Sequence, residues 1–291
     1  MALLPAAPFL PLPVAAFACL GLAIIAAALP IQGRARWGWS LFFLAACGLG
    51  VAGDTLAPPA LASLAALGLA CAASQHARLS AAAQWLAGTL TLLLALHLVP
   101  GFQPLLLADG LSLSPGATPF TLRAGFDKAA AGLLLLACFA PRCRRFDELG
   151  QSLRDILPLA ILTVVLTLAA AWLNGRVVPD PKWPAVAPTF LAINLLFTCV
   201  AEEAFFRGLI QEGLHRRFAS LGPALPVGLS TVLFAAAHLG GGVLHAVIAG
   251  LAGLGYALVH ARSRRIEAAI LTHFAVNAVH FLGFTYPGLA P

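Results

Sequence analysis

One apolar run constrains this chain more than any other. It begins near Pro188, passes Leu209, and carries Glu202, Glu203 and Arg207 near its middle. The run is long enough to cross a bilayer as a helix, and each ionisable group in such a place costs roughly 2.5–3.5 kcal/mol. Three unpaired groups would together cost on the order of 7–10 kcal/mol. A membrane helix carries such charges when they pair or when they do chemistry. Glu203 and Arg207 are four residues apart, so they share a helix face and can form an ion pair. Glu202 points about 100° away from Glu203 at 3.6 residues per turn. Its partner must therefore come from elsewhere in the chain. The alternative for all three is a buried structural pair with a glutamate facing water.

The rest of the chain repeats the apolar theme. Of 291 residues, 60% are hydrophobic and 10% charged, where a soluble domain has about 25% charged residues. The expected fold class is all-α, a polytopic transmembrane helical bundle of about ten spans, with eight to ten compatible with the short ones. The candidate spans run over 9–31, 39–56, 58–75, 81–99, 126–141, 155–174, 187–214, 223–239, 243–260 and 266–284. Alternating ten-residue segments of a β-barrel are absent. Pro8, Pro11 and Pro13 open the first run, which lacks a basic leader and reads as a retained helix. Trp37, Trp39, Trp172 and Trp183 fall near span ends, where amphipathic rings favour the interface.

The cations support this layout. Arg34, Arg36, Arg78, Arg142, Arg144, Arg145, Arg154, Arg216, Arg217, Arg262, Arg264 and Arg265 fall in one set of alternating loops. Arg123, Lys128, Arg176 and Lys182 fall in the other. Positive charge stays in the cytoplasm, so this bias places both termini outside. The net charge of +6 thus points to the membrane surface and not to nucleic acid. The six cysteines have neither disulfide-framework nor zinc spacing. Two outer loops stand out. Pro100 to Gly125 is long, with turn signals at Asp109-Gly110 and Ser114-Pro115-Gly116, and reads as a connector or an interfacial segment. Gly175 to Pro188 holds four prolines and makes a stiff crossing into the charged helix. We divide the chain into N-terminal helices of unassigned role, 1–150, and a C-terminal core, 151–291, with its motifs within 187–285.

Other polar groups cluster in that core. His238 ends the eighth span before three glycines, one turn after Phe234. His273 and Asn277 share a face of the last span, and His280 continues the stripe. A lone membrane histidine is usually a packed core residue, and a His/Asn pair is often interhelical glue; their coincidence with Glu202 argues for a site. His245 and His260 fall near span ends and read as interfacial. Asn194 lies two turns before Glu202, as glue or pocket wall. Chemically, a carboxylate and an imidazole can share and deprotonate a water. A second histidine and an amide can donate to the oxyanion of an attacked carbonyl. Together these hydrolyse an amide without a covalent enzyme intermediate. Serine chemistry fits less well: no Gly-x-Ser-x-Gly elbow occurs, and Ser230 has no adjacent base.

Glu-Glu-x-x-x-Arg at 202–207, Phe-x-x-x-His at 234–238 and His-x-x-x-Asn at 273–277 resemble the CPBP family of CAAX-prenyl-protease-2-like and bacteriocin-processing (Abi) membrane proteins. The resemblance covers about residues 187–285. It implies an intramembrane endopeptidase of glutamic type, with Glu202 as base and His238 helping to activate the water. It further implies that His273 and Asn277 form the oxyanion hole and that Glu203 and Arg207 support the site. No cofactor is expected. Glu202, His238 and His273 could bind Zn²⁺ in principle, although no HExxH signature occurs.

The expected substrate is a membrane protein or peptide in or beside the lipid bilayer. The resemblance implies two substrate classes, prenylated CAAX tails and bacterial proteins undergoing processing or cleavage of C-terminal sorting tails; the Ala/Leu/Arg-rich composition with two lysines points to a GC-rich bacterium and its inner membrane, and so favours the second. Two other classes compete: a non-enzymatic immunity or scaffold protein, and a transporter using buried charges as a proton relay.

Overall fold

The computed structural model describes residues 11–31, 33, 37–76 and 80–290. Pro8, Arg34, Arg36 and Arg78 lie outside the described residues. The described chain is helical apart from one hairpin. Its helices are α1 Leu12–Ala28, α2 Gly38–Ala52, α3 Pro58–Ala73, α4 Ser80–Ala95, α5 Phe126–Cys138 and α6 Phe146–Leu173. Then come α7 Ala187–Arg217, α8 Ala224–Ala237, α9 Val243–Ser263 and α10 Ile266–Gly283. Prolines stand in the first turns of α1, α3 and α7, where the missing N–H costs nothing. Asp147 and Glu148 occupy the first turn of α6, complementing its dipole.

The expectation of about ten spans is met only in part. Among the described residues, four helices are long and apolar enough to cross a membrane: α6, α7, α9 and α10. Helices α1 to α4 have 15–17 residues, a rise of about 22–26 Å against a hydrocarbon core of about 30 Å. The apolar runs outlast the helices, because their flanks are spent on turns such as Gly53–Leu56.

Helix α5 is the hub. It is short, yet Ala129 through Leu136 are all buried, as expected of a helix apolar all round. One core cluster joins it to α1, α3, α4, the middle of α7 (Phe197 to Leu209) and the start of α10 (Ile266, Ile270). The core therefore runs continuously across residue 150.

The outer loop at 100–125 is a structured element. Its strands β1 Leu105–Leu111 and β2 Phe120–Ala124 form an antiparallel hairpin. Gly110, at φ +61°, lies where the register slips between Ala108 and Leu111. Phe120 packs with Phe190, Phe281 and Tyr286, so the hairpin is seated on the ends of α7 and α10. The proline-rich crossing is tied to the same place. Asp180 and Lys182 donate backbone N–H groups to Gly283 and Leu282, and Thr285 donates to Val178. The segment after α10 returns over this end, with Leu289 N–H on the Arg176 carbonyl and Ala290 N–H on that of Gly116.

Candidate active site

The glutamates sit on an interrupted helix. Within α7, Val200–Glu203 is one α-helical turn between π-helical stretches at Asn194–Cys199 and Ala204–Gln211. Such wide turns are rare and concentrate at functional sites. The first sets an i,i+5 contact, with the Cys199 thiol 3.3 Å from Asn194 Oδ1.

The predicted pair forms. Arg207 Nε donates to Glu203 Oε2 at 3.0 Å, and both side chains are fully buried. Arg207 also donates to Ser230 Oγ (2.6 Å) and to the Gly253 carbonyl (3.1 Å), and it lies over the Phe234 ring. Ser230 hands its own proton to the Phe206 carbonyl. Arg207 thereby ties α7 to α8 and α9, and Ser230 is an acceptor in that tie.

Glu202 finds partners from elsewhere, as its isolation on α7 required. Lys128 Nζ of α5 is 2.7 Å from Oε1. His273 Nε2 of α10 is 3.9 Å from Oε2. The other nitrogen of His273, Nδ1, is 2.9 Å from Glu203 Oε1; it must donate to a carboxylate, which fixes the proton on Nδ1. The result is an alternating line of charge and imidazole: Lys128, Glu202, His273, Glu203, Arg207. Tyr256 stacks on the His273 ring at 4.5 Å between centroids, and Phe234 meets it edge-on.

A cavity of about 200 Å³ adjoins this line. His238, His273 and Asn277 line it, as do His245, His280 and Arg176, and the segment Pro287–Leu289 closes one side. Glu202 is not part of the lining and meets the cavity's polar end through His273. His238 makes no hydrogen bond to Glu202 among the described residues. Its Nδ1 is 2.8 Å from the Phe234 carbonyl, so Nδ1 carries the proton and Nε2 is the free nitrogen. Asn277 Nδ2 donates to Asn194 Oδ1 at 3.2 Å and to the weak acceptor Cys199 Sγ at 3.7 Å. Asn194 is thus the holder of Asn277. Among the described residues, no group of three or more His, Cys, Asp or Glu is arranged to hold a metal ion.

Three residues were misjudged from sequence. His260 is not interfacial: it is fully buried, with Nε2 3.8 Å from Glu212. His245 faces His238, with ring centroids 5.8 Å apart, and belongs to the cavity wall. Lys128, placed among outer-loop cations, is the ion partner of Glu202. Its one sequence signal is a lysine opening an otherwise apolar run.

A line of carboxylates and an imidazole beside a cavity, inside a bundle with membrane-length helices, holds groups able to activate water. Comparison with known families makes this specific. Residues 184–279, about a third of the chain, match the family described as Type II CAAX prenyl endopeptidase Rce1-like, which supports the resemblance to the CPBP/CAAX protease family. Helices α1 to α6 lie outside the match. No curated protein and no solved structure matches the chain.

Proposed function

We propose that the protein is a glutamic-type intramembrane endopeptidase that cuts a peptide bond of a membrane-associated protein substrate. The observation that carries this reading is the placing of Glu202 and His273 within 3.9 Å of each other at the polar end of a cavity that also holds His238 and Asn277. Glu202 Oε2 takes a proton from water, and His238 Nε2, free to accept, orients that water. The water oxygen bonds to the substrate carbonyl carbon, and the carbonyl oxygen becomes an oxyanion. Asn277 donates to it the N–H that otherwise rests on the weak acceptor Cys199 Sγ. His273 donates from Nε2 when its ring carries two protons, with Nδ1 held by Glu203. Glu202 then passes its proton to the leaving nitrogen as the C–N bond breaks. Well-placed general bases contribute about 10²–10⁴-fold, and each oxyanion donor about 10²–10³-fold.

The substrate class proposed is a bacterial membrane protein undergoing processing or removal of a C-terminal sorting tail, in an inner-membrane enzyme with both termini outside. Composition favours the bacterial source and the arginine bias the orientation; the substrate class rests on the family resemblance. The test is co-expression of wild type or Glu202→Gln with the host's membrane proteins, then mass spectrometry of their termini. New C-termini that need the intact Glu202 are expected. Identical termini from two folded proteins would reject proteolysis in favour of the immunity or transport readings.

A further inference from the structure

The pair between Lys128 and Glu202 joins a helix outside the family match to the carboxylate proposed as base. Nothing in residues 184–279 supplies that cation; α5 does. Lys128 Nζ takes Oε1 at 2.7 Å, while His273 faces Oε2. The two oxygens are therefore divided between one fixed partner and one open side.

Two independent features build this contact. The first fixes the Lys128 backbone. Asp127, buried at the start of α5, accepts the Lys128 N–H on Oδ1 at 2.8 Å, and its Oδ2 is held by His97 Nδ1 at 2.6 Å. The second sets the depth of α5. Gly132 lies one turn after Lys128 on the same face, and a Cβ added there would stand 2.5 Å from Ala201 Cα. Backbone meets backbone at 132 and 201, which brings residue 128 within a lysine's reach of residue 202. Lys128 is about a quarter exposed and Glu202 about a sixth, so the pair lies at an accessible margin and not in the sealed core that holds Glu203 and Arg207.

We propose that Lys128 is a positioning residue for the hydrolysis: it holds Oε1 of Glu202 so that Oε2 is the oxygen presented to His273 and to the attacking water. This rests on the endopeptidase reading. A single ammonium contact holds one carboxylate oxygen and leaves the second open. It follows that α5 belongs functionally to the catalytic core, and that the stretch matched by the family is incomplete without it.

The test uses full-length wild type, Lys128→Met, Lys128→Gln and Lys128→Arg, purified in detergent. The probe is a fluorogenic peptide spanning the cleavage site mapped by the termini comparison. Lys128→Met and Lys128→Gln are expected to lose about 100-fold in kcat, the scale of a misplaced catalytic group, with KM within about twofold. Lys128→Arg, which keeps a cation in reach, is expected to recover to within about tenfold of wild type. Either neutral variant within about threefold of wild-type kcat overturns the proposal. So does a Lys128→Arg as inactive as the neutral variants, or a loss that appears in KM alone. If Lys128→Met does not fold, the Gln and Arg variants decide between these outcomes. Termini that do not differ between wild type and Glu202→Gln would overturn the endopeptidase reading itself, and this proposal with it.

Discussion

Arg207→Met is the sharpest test of how the site is held together. The substitution keeps much of the side-chain length but removes a charge with three hydrogen-bonded partners: Glu203, Ser230 and the Gly253 carbonyl. All of these atoms are deeply buried, so the variant leaves Glu203 ionised with only His273 Nδ1 as a partner. Removing one member of a buried pair costs about 3–5 kcal/mol. At roughly 2–4 °C per kcal/mol for a chain near this size, the thermal midpoint in detergent should fall by about 6–20 °C. The companion Glu203→Gln should also destabilise. The double variant should recover at least about half of the summed loss, because removing both charges ends the burial of an unpaired one. A midpoint for Arg207→Met within about 2 °C of wild type would refute the reasoning. Strict additivity in the double variant would refute it equally, since it would mean that the two side chains do not interact.

Further expectations follow from the packing and from the outer clasp. Gly132→Val should force α5 away from Ala201 and cost about 1–3 kcal/mol in stability, measured as a fall in the midpoint; an unchanged midpoint would mean the helices do not meet as described. Asp180 is held below the usual carboxylate range by the Ser114 hydroxyl and then by Lys182. Its stabilising contribution is therefore full above its unfolded value, about 3.9, and is lost as pH falls through the lowered folded value. Hydrogen exchange at the Asp180, Lys182 and Thr285 amides should quicken below about pH 4, and Asp180→Asn should abolish that dependence; exchange equally pH-sensitive in the variant would assign the effect elsewhere.

What the sequence revealed and what it hid divide along physical lines. Contacts within one helix were legible. Glu203 with Arg207 follows from a spacing of four, and the isolation of Glu202 follows from the 100° step. The identity of its partner was not, because Lys128 lies 74 residues away and no periodicity links α5 to α7. The hairpin was half legible. Its glycine turns were readable, but Leu-Leu-Leu-Ala-Asp-Gly-Leu lacks the alternation that marks a strand. His260 was misread because position along a span does not tell which side of the helix is covered. Four described helices are long and apolar enough to cross a membrane against about ten apolar runs, because hydropathy measures composition, whereas length is set by where the turns begin.

The two π-helical stretches of α7 have a consequence for how this helix tolerates change. Each wide turn accommodates a residue that a regular α-helix would not, so the glutamates occupy a short α-helical island between two offsets in phase. Deleting one residue from the first stretch would swing Asn194, and with it the anchor of Asn277, by about 100° relative to Glu202. Deleting one from the second would turn Gln211, which donates to the Ala257 carbonyl, away from α9. This helix behaves as a reading frame: its letters can vary within limits, but its length between Asn194 and Gln211 cannot.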